Sequence, residues 1–162
     1  LNLCPFAKAV HVKGQIRWVE SPATDPAQLR EELARELQFL AAADPAAVET
    51  TLLIHPHVLA DFLDYNDFLD VAEATVDELG LAGVIQVASF HPGYQFAGTA
   101  PGDVENLTNR SPHPMLHLLR EESIERAVES FPDAASIYER NIDTLRRLGV
   151  RGWQRLVAGA GS

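Results

Sequence analysis

The amino-acid sequence predicts a small layered α/β domain with about three core strands, at least two of them parallel, and about four helices. Short apolar runs with β-branched residues occur at 15–20, 50–55 and 83–89, and such runs are typical of buried strands. Stretches with helical periodicity separate successive runs. Because a strand–helix–strand order needs a crossover, and crossovers join parallel strands, we expect 50–55 and 83–89 to be parallel neighbours.

The length and charge of the chain restrict the class of protein. Its 162 residues suffice for one domain with a substantial core, so we expect a single domain over 1–162 with a loose tail from about residue 157. The 13 basic and 23 acidic residues give a formal net charge of −10, which argues against nonspecific binding to nucleic acid or an anionic membrane. No signal peptide or membrane-length apolar run is visible. With the single Cys4, this favours a cytoplasmic protein.

The first third of the chain is predicted to hold a strand and a long helix. Pro5 is expected to interrupt any helix near the N-terminus. Residues 15–20 form the predicted first strand, with 10–12 as a hairpin partner across Lys13 and Gly14. The first long helix is predicted to run to about Ala42, with Asp25 as N-cap, Pro26 at its first position, Gln28 in a capping box, and Leu29, Leu33, Leu37 and Leu40 on its buried side.

Three further helices are predicted in the rest of the chain. Apolar residues at helical spacing between Phe62 and Leu79, followed by Gly80, predict the second helix. The third is predicted over 111–130, because Ser111 is a suitable cap and a proline follows it. The fourth is predicted over about 134–148, with Gly149 as its stop.

The segment 89–121 is the predicted functional region, because a long loop within a compact domain is usually functional or disordered. It contains three of the six histidines. His55 ends the second strand and His91 follows the third. Ligands of parallel sheets bind outside the carboxyl ends of the strands, so we expect both imidazoles at that edge.

A second pattern lies on the predicted third helix. His113, His117 and Glu121 are spaced i, i+4, i+8 and would share one helical face. We expect His91 and His117 to approach each other across a cleft with Glu121 on the same side. His55, His91, His117 and Glu121 are then candidate ligands of a divalent transition metal. Two alternatives stay open: metal-free acid–base catalysis by His91, His117 and Glu121, and a structural role in which His117 bonds a loop carbonyl.

Two arginines suggest a site for a small anionic ligand. Arg110 directly precedes the predicted third helix, and Arg120 lies within it beside the face of His117 and Glu121. Free backbone amides at the helix start and guanidinium groups together favour an anion. Tyr94 is either a pocket-lining residue or an anchor for the loop on the core. Because an unpaired buried charge is costly, we also expect Arg110 or Arg120 to pair with Glu121 or another carboxylate.

Four segments resemble those of an uncharacterised bacterial family, domain of unknown function 1415. They are Leu-Asn-Leu-Cys-Pro-Phe-Ala (1–7), Thr-Thr-Leu-Leu-Ile-His-Pro (50–56), Gln-Val-Ala-Ser-Phe-His-Pro-Gly-Tyr-Gln-Phe-Ala (86–97) and Thr-Asn-Arg-Ser-Pro-His-Pro-Met-Leu-His-Leu-Leu-Arg-Glu (108–121). The resemblance implies a single bacterial domain and carries over no reaction, cofactor or catalytic residue.

Two functions from different classes fit these patterns. The first is a small cytosolic enzyme, metal-dependent or not, that acts on a small anionic substrate. The alternative is a non-catalytic binding or interaction protein, in which 89–121 is a structural plug held by buried ion pairs. Solvent access of His91 and His117 separates the two: an open cleft favours the enzyme, and burial with satisfied hydrogen bonds favours the alternative.

Overall fold

A four-stranded mixed sheet organises the fold. The computed structural model describes residues 4–130 and 134–159. In chain order its elements are α1 (Pro5–Val12), β1 (Ile16–Glu20), α2 (Pro26–Ala42), β2 (Thr50–Ile54), α3 (Phe62–Glu78), β3 (Ile85–Phe90), a 3₁₀ helix (Val104–Asn109), β4 (Met115–Arg120), α4 (Glu121–Ser130) and α5 (Ala134–Gly159). None of the helices within the described ranges is both long and apolar enough to cross a lipid bilayer.

The strand order of the sheet is β1-β2-β4-β3. β1 and β2 are parallel, which confirms the predicted α/β class with at least two parallel strands. The prediction that 50–55 and 83–89 are neighbours is wrong, because β4 lies between β2 and β3 and is antiparallel to both. For the same reason β2 and β3 run in the same direction, so their carboxyl ends still meet at one edge of the sheet.

The hydrophobic core lies between one face of the sheet and helices α2 and α3. The helices bury apolar side chains at helical spacing against alternate residues of the strands. The main contributors are Leu29, Leu33, Leu37 and Leu40 from α2, Tyr65, Phe68, Ala72 and Val76 from α3, and Leu53, Ile85, Leu116 and Leu118 from the sheet. The predicted start of α2 is confirmed, since the Asp25 side chain accepts a hydrogen bond from the Gln28 amide at 2.9 Å.

The predicted third helix is wrong over its first half. Met115–Arg120 is the strand β4, and the helix α4 begins only at Glu121. Leu116 and Leu118 are fully buried, whereas Met115, His117 and Leu119 are only partly buried, which is the alternation of a strand with one face on the core. Because β4 pairs with both β2 and β3, the hydrogen bonds of a central strand outweigh local helical preference in this segment.

The predicted N-terminal hairpin is also wrong. Residues 10–12 belong to α1, and β1 pairs with β2 along its whole length. Pro5 begins this helix instead of interrupting it, because the amide that proline lacks has no partner in the first turn of any helix. Gly14 has a positive φ of 68° at the turn from α1 into β1, a conformation that glycine adopts without strain.

Gly149 ends the first helical segment of α5 as predicted, but the helical segment that follows it was not predicted. Gly149 interrupts α5 with φ 64° and ψ 170°, and a second helical segment continues to Gly159. The first segment buries Leu145 completely, and α5 packs on the 3₁₀ helix. Of the predicted loose tail from about 157, residues 160–162 lie outside the described ranges.

Candidate functional site

His55 and His91 meet at the carboxyl edge of the sheet, beside the ring of Tyr65. The ring centroids of His55 and Tyr65 are 5.8 Å apart, and those of Tyr65 and His91 are 4.9 Å apart. His91 is only 2% exposed, and His55 and Tyr65 are fully buried. The predicted shared edge is therefore present, but this part of it is closed to solvent.

Both histidines are occupied in holding the loops of this edge. His55 Nδ1–H donates to the Val58 carbonyl at 3.1 Å. His91 Nε2–H donates to the Leu59 carbonyl at 3.1 Å, and its Nδ1 accepts from the Gly93 amide at 2.9 Å. Burial is the main cause of a lowered pKa in both rings. Each imidazole is thus neutral and bonds to these loops, while the buried Nε2 of His55 has no hydrogen-bond partner among the described residues.

Tyr65 is a residue whose role sequence reasoning missed. Its hydroxyl donates to the Met115 carbonyl at 2.8 Å and accepts from the Phe90 amide at 3.0 Å, so it joins the end of β3 to the start of β4. Burial raises the pKa of this hydroxyl. In the sequence the residue belongs to the apolar stripe of a helix, and the local pattern gives no sign of its polar contacts.

We expect Tyr65→Phe to lower the free energy of unfolding by about 2 kcal/mol, because it leaves a partly buried amide and carbonyl without their partner. Urea denaturation monitored by circular dichroism measures the change. Tyr138→Phe is the matched control, since Tyr138 is 60% exposed and should change stability by less than about 0.5 kcal/mol. Equal stability of the two variants would show that the Tyr65 hydroxyl bonds contribute nothing.

His117 lies on the other face of the sheet from His91. It alternates in β4 with Leu116 and Leu118, which face the helices. Its Nε2 is 2.7 Å from Thr50 Oγ1, and the Thr50 hydroxyl donates to the Leu118 carbonyl at 2.6 Å. Nε2 therefore carries the proton and donates it to the threonine oxygen. Burial lowers the pKa of His117 to about 4, so this ring is also neutral near pH 7.

The predicted ligand set is not assembled around one point. Glu121 follows the last residue of β4, and Ile85 at the start of β3 pairs with the neighbouring Arg120. Six residues of extended chain place Glu121 about 20 Å from the edge that carries His91. His113, His117 and Glu121 share no helical face, because the helix that would align them is a strand. In 4–130 and 134–159, no group of three or more His, Cys, Asp or Glu residues is arranged to hold a metal ion.

Arg120 makes no ion pair among the described residues, so for this arginine the predicted pairing is wrong. Its Nη2 group lies 2.8, 2.9 and 3.0 Å from the carbonyl oxygens of Leu40, Ala43 and Val48. These carbonyls lie at and just beyond the end of α2, which has no basic residue in its own last turn. Arg120 thus caps that helix from β4, where a cation is favoured by the helix dipole.

Arg110 is likewise held by backbone oxygens. Its Nε donates to the Tyr94 carbonyl at 3.1 Å, and its Nη2 donates to the Pro101 carbonyl at 2.6 Å. No carboxylate pairs with it in the part of the chain that the structure describes, so the predicted ion pair is absent here too. Tyr94 packs its ring near Phe62 and Phe96, with centroids at 5.3 and 4.9 Å, and anchors the loop on the core.

The loop itself is ordered by Asn106, a second residue that sequence reasoning missed. This side chain is fully buried. Its Oδ1 accepts from the Phe96 amide and the Thr99 hydroxyl, both at 2.9 Å, and its Nδ2 donates to the Ala100 carbonyl at 2.8 Å. The 96–100 part of the loop is therefore held by hydrogen bonds to one buried amide side chain, and Glu105 adds an ion pair with Arg146 at 2.7 Å.

An open groove lies between this loop and the last segment of α5. We call it the Arg110 groove; its volume is about 430 Å³, within the range of small-molecule sites. Seven of its ten lining residues are apolar. Arg110 and Ser111 line the loop side, and Trp153 and Gln154 line the helix side. Sequence reasoning found Arg110 but missed Trp153 and Gln154. The stretch after Asp143 contains arginines and no acidic residue, and this local positive charge could have marked it as a candidate anion-binding segment.

The fold and the groove define a small α/β domain with a mixed sheet, helices over one face and an arginine-containing groove at the edge of a long ordered loop. The chain belongs to the family described as "Protein of unknown function (DUF1415)", whose model matches residues 1–155. This confirms the resemblance found in four segments of the sequence. No curated protein and no solved structure matches the chain.

Proposed function

We propose that this protein is a non-catalytic binding domain for a small organic anion, and that the Arg110 groove is its site. The observation that carries the proposal is the state of Arg110. Two of its donors are fixed on the Tyr94 and Pro101 carbonyls, and among described residues no carboxylate neutralises its charge. The guanidinium is therefore positioned in advance of ligand binding, which reduces the entropic cost of binding.

The surroundings of Arg110 favour an anion with an apolar body. A guanidinium forms strong, directional hydrogen bonds with carboxylate and phosphate groups. Trp153 offers a flat apolar surface, and Gln154 offers a neutral donor and acceptor. The rest of the lining is mostly apolar, so a ligand would be bound by one charged end and by apolar contact along its body.

The chemistry of the lining supports binding over catalysis. Arg110 is the only described lining residue with a charged side chain, and none is Asp, Glu, His, Cys or Lys. Arginine does not exchange its proton near neutral pH, so the described groove contains no general acid or base. His55 and His91 are buried, and they donate hydrogen bonds to the Val58 and Leu59 carbonyls, which do not line the groove. Catalytic roles for His91, His117 and Glu121 stay predictions without geometric support.

The proposal predicts charge-selective binding that depends on Arg110. In a Trp18→Phe background, Trp153 is the sole tryptophan and its fluorescence reports on the groove. We expect benzoate, 2-naphthoate and phenyl phosphate to perturb this fluorescence at millimolar concentration or below. The matched amides, benzamide and 2-naphthamide, should bind at least about tenfold more weakly, since they lack the charge.

Arg110→Gln should weaken anion binding by at least about tenfold, and Arg110→Lys should retain part of it. Arg126→Gln is the control, because Arg126 is exposed on α4 and lines no part of the groove. Thermal melts of all variants separate loss of binding from loss of fold. Equal binding of anions and amides, or no perturbation by any anion of the panel, would refute the proposed function.

A further inference from the structure

A second cationic depression adjoins the Arg110 groove. It has a volume of about 480 Å³ and is lined by Arg151, Gln154, Arg155 and Ala158. Gln154 and Ala158 line both spaces, so the two adjoin along one side of the last segment of α5. We call this second space the Arg151 depression.

The net charge of helix α5 is positive, opposite in sign to that of the whole chain. No acidic residue occurs after Asp143, whereas Arg146, Arg147, Arg151 and Arg155 do. Arg146 is paired with Glu105 at 2.7 Å. Among the described residues, Arg151 and Arg155 form no ion pair. They are four residues apart in one helical segment, so two like charges lie side by side.

An anion between Arg151 and Arg155 would relieve their mutual repulsion and gain two charge-assisted hydrogen bonds. The surface around them is exposed, and the chain as a whole has a charge of −10. A long polyanion such as nucleic acid would meet this acidic surface beyond the two spaces, whereas a compact ligand would not. The two arginines and the acidic surface beyond them therefore favour a small ligand with an anionic group at one end.

We infer that the ligand carries two anionic groups separated by a flat apolar body. This inference rests on the proposed function, because one anionic group is placed at Arg110. The body lies along Trp153 and Gln154, at the junction of the two spaces, and the second anionic group lies between Arg151 and Arg155. Dicarboxylates and carboxylate–phosphates of this shape belong to the class.

Dianions and their half-neutralised partners test the inference. The probes are terephthalate and 4,4′-biphenyldicarboxylate, each compared with its own monomethyl ester by calorimetry on the full chain. We expect one of the two dianions to bind at least about tenfold more tightly than its monoester. This gain should shrink as salt is added, because the depression is exposed to solvent.

Arginine variants assign the gain to its site. The double variant Arg151→Gln/Arg155→Gln should remove the preference for the dianion and leave the affinity for the monoester unchanged. Arg110→Gln should weaken both ligands. Arg147→Gln is the control, because Arg147 is on the same helix and lines neither space.

The outcomes separate the two proposals. If the monoesters bind through Arg110 but neither dianion gains affinity, the second subsite is refuted and the proposed function stands. A gain that survives the double variant also refutes the subsite. If no monoester or dianion binds at all, the proposed function itself fails.

Discussion

Replacing Arg120 with alanine is expected to lower the free energy of unfolding by about 3–4 kcal/mol. The Nη2 group of Arg120 holds the carbonyls of Leu40, Ala43 and Val48 at 2.8–3.0 Å. Without it, three carbonyls lose a charged donor, and the end of α2 loses its only nearby cation among the described contacts. Bonds to charged donors are worth more than neutral ones, so the effect should exceed that of Tyr65→Phe.

Urea denaturation of Arg120→Ala measures this loss. Arg126→Ala is the matched control, since Arg126 forms only exposed contacts on α4 and should change stability by less than about 1 kcal/mol. Arg120→Lys should fall between the two, because a lysine retains the charge but cannot reproduce the planar geometry of the guanidinium. If Arg120→Ala resembled Arg126→Ala, the capping role of Arg120 would be refuted.

Acidification is expected to destabilise the protein well before most carboxylates are protonated. Burial lowers the pKa of His117 from 6.5 to about 4, so the unfolded chain binds this proton more tightly than the folded chain. The stability contribution is therefore complete above about pH 6.5 and is lost as the pH falls toward 4, a total of about 3 kcal/mol. His55 and His91 are shifted in the same direction and add to the loss.

His117→Leu isolates this contribution. Thr50 keeps its hydrogen bond to the Leu118 carbonyl, while the titrating ring is removed. Between about pH 6.5 and pH 5, the slope of unfolding free energy against pH should decrease by up to about 1.4 kcal/mol per pH unit. His113→Gln, at an exposed position, is the control and should keep the original slope. An unchanged slope in His117→Leu would refute a buried neutral His117.

The parts of the fold that were predictable are those in which one segment determines its own structure. α2 follows from a local capping pattern at Asp25 and a leucine stripe of helical period. β2 is a short apolar run, and α3 is again a periodic segment. The approach of His55 and His91 was predicted as well, because it depends only on the direction of β2 and β3 and survives the insertion of β4 between them.

β4 was not predictable by the same reasoning. The segment Met115–Arg120 contains apolar residues at both strand and helix spacing, and two prolines before it resemble a helix start. Its structure depends on β2 and β3, which lie about 65 and 30 residues earlier in the chain and offer hydrogen-bonding edges on both sides. Because Met115–Arg120 is a strand and not a helix, His117 and Glu121 lie away from His91. The residues predicted to bind a metal are therefore not brought together.

By itself the sequence determined the α/β class, the two core helices, the edge where His55 and His91 meet, and the family to which the chain belongs. These depend on local periodicity, capping and strand direction. Only the tertiary structure decided the partners of Arg110 and Arg120, the burial of His91 and the existence of the Arg110 groove. Each of these depends on which distant backbone carbonyls and side chains meet after folding, and no spacing within one segment encodes such contacts.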